Sequence, residues 1–320
     1  MSNFLRAPTV CSQLRLVYGS AYGDSSTHAA VLSTFTFYDP SAFLISNTSP
    51  IGSAYNLNTT IWLTGSFPVS GPVICQIGGN ITVGGELINA THARCPKPIF
   101  PNSYKGSRVN QLDLAPVNLC WVNTSTNFYT YSAQLSALSI TGAPSGAPVT
   151  LTITGAGFPY PLAPGSSCRF ISTSQTLKTS AAVTSSTQLT CPTPSTAAVG
   201  SYEVYISLND HEVEPSLYGT PSFNSYNLSL VTLSQLTPSA VPLATSTTLT
   251  LQGSGFAEYG STSDSLLSQL VCRVGTQLIT ARLLDSSNVQ CTLPAITTAS
   301  TIKVDVSLNG GNPGTFTSQQ

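Results

Sequence analysis

The sequence predicts an all-β protein: tandem β-sandwiches preceded by an N-terminal strand segment. Three observations carry that prediction. A set of motifs recurs at a shift of about 100 residues, the length of one small all-β module. It starts with Val149-Thr150-Leu151-Thr152-Ile153-Thr154, Gly155-Ala156-Gly157-Phe158, Cys168-Arg169-Phe170, Gln188-Leu189-Thr190-Cys191-Pro192 and Val204-Tyr205-Ile206-Ser207-Leu208-Asn209. It returns as Leu249-Thr250-Leu251, Gly253-Ser254-Gly255-Phe256, Cys272-Arg273-Val274, Cys291-Thr292-Leu293-Pro294 and Val304-Asp305-Val306-Ser307-Leu308-Asn309. Second, Thr and Ser alternate with Val, Leu and Ile at the period of a half-buried strand, and no apolar period of 3.6 persists for three turns. Third, hydrophobic residues make up 41% of the 320, enough to fill packed cores although only 7% are charged.

Taken in order, residues 1–40 form a strand segment rather than the start of a module. Leu14-Arg15-Leu16-Val17-Tyr18 is strand-like, and Val31-Leu32-Ser33-Thr34-Phe35-Thr36-Phe37-Tyr38 has the aromatic alternation of a closing strand. The same alternation appears in Asn127-Phe128-Tyr129-Thr130-Tyr131 and in Ser222-Phe223-Asn224-Ser225-Tyr226. Asp39-Pro40 ends the run, because proline cannot donate to a ladder. A first, divergent repeat occupies 41–132, with Ile61-Trp62-Leu63-Thr64-Gly65-Ser66-Phe67, Cys75-Gln76-Ile77 and Cys95-Pro96; its turn is one residue short. The second repeat spans 133–228 and the third 229–320, with short Pro-marked linkers expected at Ala143-Pro144 and Thr237-Pro238. In the third repeat the aromatic closing strand is absent or stunted. A missing strand leaves unpaired backbone groups beside exposed core, which is costly unless something fills the gap.

Composition excludes several classes. The net charge is -1, with no basic face to hold phosphates, so no nucleic-acid partner is expected. No run is apolar and long enough to span a bilayer. Met1 to Val10 lacks the apolar core of a signal peptide, so a secreted form of this sequence is a mature or trimmed chain. Eight cysteines accompany three histidines, and the cysteine spacings are far from C-x-x-C, which favours disulfides over metal. Six sequons, at Asn47, Asn58, Asn80, Asn89, Asn123 and Asn227, agree with secretion and predict attached glycans on exposed positions.

Together these motifs resemble the IPT/TIG domain family, the immunoglobulin-like modules of plexins, the hepatocyte growth factor receptor and many extracellular proteins. The resemblance covers the second and third repeats well and the first loosely. It implies immunoglobulin-like β-sandwiches with Cys168–Cys191 and Cys272–Cys291 bonds inside modules, and by the same alignment a Cys75–Cys95 bond. Cys11 and Cys120 lie outside the repeated positions. They pair with each other, fastening the N-terminal segment to the first repeat, or bond between subunits.

No catalytic, cofactor or metal site emerges. Gly155-Ala156-Gly157-Phe158 lacks the third glycine and the helix of a dinucleotide site and is read as a tight turn, with Phe158 and Phe256 as core anchors. Asp210-His211-Glu212-Val213-Glu214 is read as a solvated turn in preference to a divalent-cation loop. His28, His92 and His211 have no nucleophile-elbow serine beside them. Trp62 and Trp121 are read as core or interface residues in preference to a carbohydrate platform.

The function expected is structural. The leading reading is a secreted, glycosylated subunit polymerising head to tail into an extracellular filament, its self-partner contact made by strand addition through Val31, Phe35, Phe37 and Tyr38. The alternative is the ectodomain fragment of a cell-surface receptor or adhesion protein with IPT/TIG repeats. A third reading is an array of accessory carbohydrate-binding modules from a secreted enzyme.

Overall fold

The computed structural model of the chain describes residues 42–317, apart from 56, 69–70, 99, 101–107, 117–125, 161–164, 212, 215–219 and 261–269. Every element longer than one turn among them is a strand. The chain forms two compact units, one ending at Thr130 and the other running Tyr131–Gln320.

The first unit is one sandwich: β1 (Leu44–Ser49), β2 (Gly52–Ala54), β3 (Thr60–Ser66), β4 (Pro72–Ile77), β5 (Ile81–Asn89), β6 (His92–Pro96), β7 (Arg108–Pro116) and β8 (Asn127–Tyr131). They are hydrogen-bonded in the order β1-β3-β6-β5-β4-β7-β8-β2. Strand period dictates what each residue faces. Along β3, Ile61 and Leu63 are fully buried, so Trp62 between them must point outward, and it is 44% exposed. Of the two places expected for Trp62, core or interface, its exposure removes the core: flanking aliphatics on a strand mark the opposite face, not the same one.

The second unit holds two sandwiches. One comprises β9 (Gln134–Leu138), β10 (Gly142–Pro144), β11 (Thr150–Ala156), β12 (Ser167–Ile171), β13 (Thr176–Ser180), β14 (Ala182–Ser185), β15 (Gln188–Pro192), β16 (Gly200–Ser207) and β17 (Ser222–Tyr226). Its sheets are β14-β15-β11-β9 and β10-β17-β16-β12-β13. The other comprises β18 (Thr232–Thr237), β19 (Thr247–Ser254), β20 (Val271–Val274), β21 (Gln277–Asp285), β22 (Asn288–Leu293) and β23 (Val304–Ser307), ordered β18-β19-β22-β21-β20-β23. Here β21 runs unbroken from one sheet to the other, as β5 does in the first sandwich. In the second sandwich the same path is interrupted at Ala181, whose N–H donates to Ser166 O at 2.9 Å. Thr237 and Pro144 lie inside strands of their sandwiches, so the Pro-marked pairs expected as linkers are not linkers.

The Gly-x-Gly-Phe turns have a packing cause. A Cβ on Gly155 or Gly253 would collide with the carbonyl of Gln134 or Thr232 on the neighbouring first strand. Gly157 and Gly255 both sit at φ 73°, in the left-handed region that favours glycine. Phe158 and Phe256 then drop into the core, as Phe67 does after the shorter turn of the first sandwich. Burying such a ring stabilises each module by about 1.5–3 kcal/mol.

Candidate functional site

The structure bonds Cys75 to Cys95, Cys168 to Cys191 and Cys272 to Cys291, with Cα–Cα separations of 6.1, 6.4 and 6.4 Å. Each bond joins the two halves of one sandwich, and all six cysteines are buried. Closing a loop of this length restricts the unfolded chain and stabilises a module by roughly 2–4 kcal/mol. Cys11, Cys120, Trp121, Asn123 and the strand residues Val31, Phe35, Phe37 and Tyr38 lie outside the described residues.

Asn47, Asn58, Asn80, Asn89 and Asn227 are all exposed. Two of these sequons are locally ordered by their own third residue. Thr91 donates from both its N–H and its Oγ1 to Asn89 Oδ1, each at 2.9 Å. Ser229 does the same to Asn227 Oδ1, at 3.0 Å from N–H and 2.8 Å from Oγ. Such Asx turns hold the amide oxygen toward the chain, so the amide nitrogen faces outward.

Asp210, at φ 65°, is paired with side-chain cations. Lys178 Nζ donates to its carboxylate at 2.7 Å, Ser167 Oγ at 3.3 Å, and Arg169 Nη2 donates to its carbonyl at 2.9 Å. The hydrogen bond from Lys178 is the main cause holding the carboxyl below its ordinary 3.8.

A junction that sequence reasoning missed joins the second sandwich to the third. The rings of Tyr226 and Tyr259 stack with centroids 4.9 Å apart at 14°. Thr141 N–H donates to Tyr259 O at 2.8 Å, and Thr141 Oγ1 to Gly260 O at 3.2 Å. Asn309 Nδ2, fully buried, donates to Gly142 O at 3.1 Å. Burial pushes both phenols upward, Tyr226 further than Tyr259, whose nearby charge adds to the Tyr226 effect. Asn309 belongs to a Ser-Leu-Asn triplet that also occurs at 207–209, and nothing in the triplet marks which copy docks a neighbour.

The second feature is an edge. In the second sandwich, β17 lies antiparallel to β16, with Tyr202 opposite Phe223, and parallel to β10. In the first, β8 likewise lies between β7 and β2. Both short strands it covers, Gly52–Ala54 and Gly142–Pro144, are entirely buried. In the third sandwich, by contrast, β23 ends its sheet among the described strands. Beyond it, Phe316 bridges to Ser307 and Thr317 N–H donates to Val306 O at 2.8 Å, as Glu214 N–H donates to Ile206 O at 2.9 Å in the second sandwich. The counterpart of Gly142–Pro144, residues 240–242, is mostly exposed, and between it and Ile302 runs a groove of about 190 Å³ lined by apolar Val241, Leu243 and Ile302 and by the hydroxyl residues Thr245, Thr298 and Ser300. No helix among the described residues is long and apolar enough to cross a membrane.

The IPT/TIG domain profile matches residues 133–223 and 232–320. No curated protein matches the chain. Among solved structures, the full extracellular region of plexin A4 is similar over 92% of this chain and 30% of that one in a ten-domain form (12% identity, TM-score 0.38), and over 87% and 34% in an eight-domain form (11%, TM-score 0.36). The FN1–FN3 domains of chicken CNTN1 are similar over 84% of this chain and 92% of that one (13%, TM-score 0.25). This chain spans about a third of the plexin structures. The profile takes in more than half of the sequence, on the two sandwiches that carry the Gly-x-Gly-Phe turns and their disulfides: the chain belongs to the IPT/TIG domain family.

Proposed function

We propose that this chain is a non-catalytic, N-glycosylated extracellular array of the receptor or adhesion type, whose sandwiches hold and space binding surfaces. The observation that carries the reading is the pairing of three intramodular disulfides with exposed sequon asparagines on the same sandwiches. Disulfides of this kind persist in oxidising compartments, and glycans need outward-facing amides. The tyrosine-stacked junction supports a spacer role, because buried backbone and side-chain bonds between modules resist bending.

The test is secretion of the chain behind a signal peptide from a eukaryotic cell. Soluble secreted protein whose mass falls on glycosidase treatment, and which shows no free thiol, is expected. Retention inside the cell with reduced cysteines and no glycan would sink the proposal.

A further inference from the structure

We infer that an N-glycan attached at Asn58 lies back along β3 and seats its chitobiose core against the exposed indole of Trp62. The inference rests on N-glycosylation of the chain as proposed above and gives one glycan a fixed place on the first sandwich. The outward residues of β1, β3, β6 and β5 form one surface, and the strand register orders them. Ser49, Trp62, Arg94 and Glu86 stand in one cross-strand row, and Thr60 stands opposite Pro96 in the row beside it. Trp62 is 44% exposed between exposed Thr60 and Thr64. Next to it Arg94 and Glu86 form an exposed ion pair, with Nη2 and Oε2 2.6 Å apart. On β5, Gly84 is exposed and a Cβ there would meet nothing within 4 Å. A groove of about 390 Å³ opens at this point, lined by Thr60, Gly84, Gly85, Glu86, Arg94 and Pro96. A flat indole beside hydroxyl, guanidinium and carboxylate groups suits a sugar, which offers a C–H face to the ring and hydroxyl and acetamide groups to the polar side chains.

The occupant follows from where the sequons stand. Asn58, Thr60 and Trp62 are exposed, whereas Thr59 between them is half-buried and Ile61 is buried, so all three lie on one face. The ladder runs back past Thr60, since Lys97 N–H donates to Thr59 O at 2.7 Å. At the rise of a strand, Asn58 and Trp62 stand about 13 Å apart, a span that an asparagine side chain and two linked pyranose rings cover. Thr60 is both the hydroxyl residue of the sequon and a wall of the groove, and it is small enough for the sugar to pass over. The sequons on β1 and β5 are worse placed. Asn89 has the whole of β6 between it and β3. Asn47 lies diagonal to Trp62, but its hydroxyl residue Ser49 precedes Pro50, which restricts the backbone of that sequon. Tethering supplies the affinity: a glycan bound to the same strand meets Trp62 at a high effective concentration, so a weak stacking contact suffices.

Acrylamide quenching of tryptophan fluorescence in the secreted, glycosylated chain tests this. Trp62→Phe gives the Trp62 contribution by difference, and mass spectrometry of the Asn58 glycopeptide gives its occupancy. Trp62 is expected to be protected in the wild type and in Asn47→Gln and Asn89→Gln. Protection should be lost in Asn58→Gln and on removal of the glycans from the folded protein by a glycan amidase. If Asn58→Gln is not secreted, the amidase comparison stands in its place. Nuclear magnetic resonance gives a direct signature: N-acetylglucosamine signals shifted upfield by the indole in the wild type should return to their ordinary positions in Trp62→Ala. An occupied Asn58 with Trp62 quenched equally before and after glycan removal overturns the seat and leaves the ectodomain reading standing. So does an unoccupied Asn58 in a chain glycosylated elsewhere. Protection that disappears with Asn47 or Asn89 instead overturns the assignment to Asn58. A chain with no sugar at any sequon overturns both the seat and the glycosylated reading.

Discussion

The second and third sandwiches share a turn, a disulfide and an aliphatic core, yet in one an aromatic strand pairs along β16, whereas in the other β23 is the last of the described strands. Phe170 and Phe223 meet edge-on in the second, whereas in the third a buried Val274 holds the Phe170 position and Ile302 lines a groove. The difference teaches that the part both modules share, from the Gly-x-Gly-Phe turn to the Ser-Leu-Asn triplet, is enough to bury a disulfide-bonded core among the described residues.

Five measurements break or sharpen the comparison. Phe223→Ala should destabilise the second sandwich by about 3–5 kcal/mol, the usual cost of emptying a fully packed aromatic site. Ile302→Ala, in the groove of the third, should cost about 1 kcal/mol or less. Hydrogen exchange in β16 and β23 reads both, and equal losses would refute the asymmetry. Replacing both Cys168 and Cys191 by Ala should cost about 2–4 kcal/mol, and the Cys272/Cys291 pair a similar amount, since their loops span 23 and 19 residues. Thermal unfolding of each variant checks that the two modules depend on their disulfides alike even though their edges differ.

Gly142→Ala places a Cβ 2.6 Å from Tyr259 Cγ and 2.8 Å from Asn224 O, and should cost about 1–3 kcal/mol by overpacking. Ala240→Gly at the equivalent open position should change stability by only about 0.5–1 kcal/mol. The junction should also be sensitive to alkali. Burial raises the Tyr226 phenol above its ordinary value of 10, so its contribution is complete below pH 10 and is lost as pH rises beyond it. Tyr226→Phe should flatten that alkaline decline in a pH series of melting temperatures. The smallest effect belongs to Asp210. Its carboxyl is held below 3.8, so its contribution is present above that pH and disappears as pH falls through the lowered value. Because the Lys178 pair is exposed, Lys178→Ala should cost about 1 kcal/mol or less at neutral pH, and nothing once Asp210 is protonated.

Much of the fold was legible in the residues, because strand period and turn chemistry are local. The Thr alternation of Thr150–Ala156 specifies which face is wet, and the two glycines of Gly155-Ala156-Gly157 answer to a neighbouring carbonyl and a left-handed turn. The core option for Trp62 came from weighing its neighbours' character instead of their period. The Tyr226–Tyr259 stack was invisible, since each tyrosine sits in a segment with ordinary local patterning and meets the other only through docking. Asn309 was equally hidden, as its triplet is identical to the one around Asn209.

By itself the sequence determined the all-β class, the tandem repeat, the disulfide-bearing modules and the outward sequons, because each depends on spacings of a few to about twenty residues. Only the tertiary structure decided which strand borders which. Tyr259 reaches Tyr226, Asn309 caps Gly142, and Lys303 accepts from Gly275 N–H, all through contacts between residues far apart in the chain. The physical reason is that a strand's faces are set by its own alternation, whereas its edges are satisfied only by whatever backbone is brought alongside.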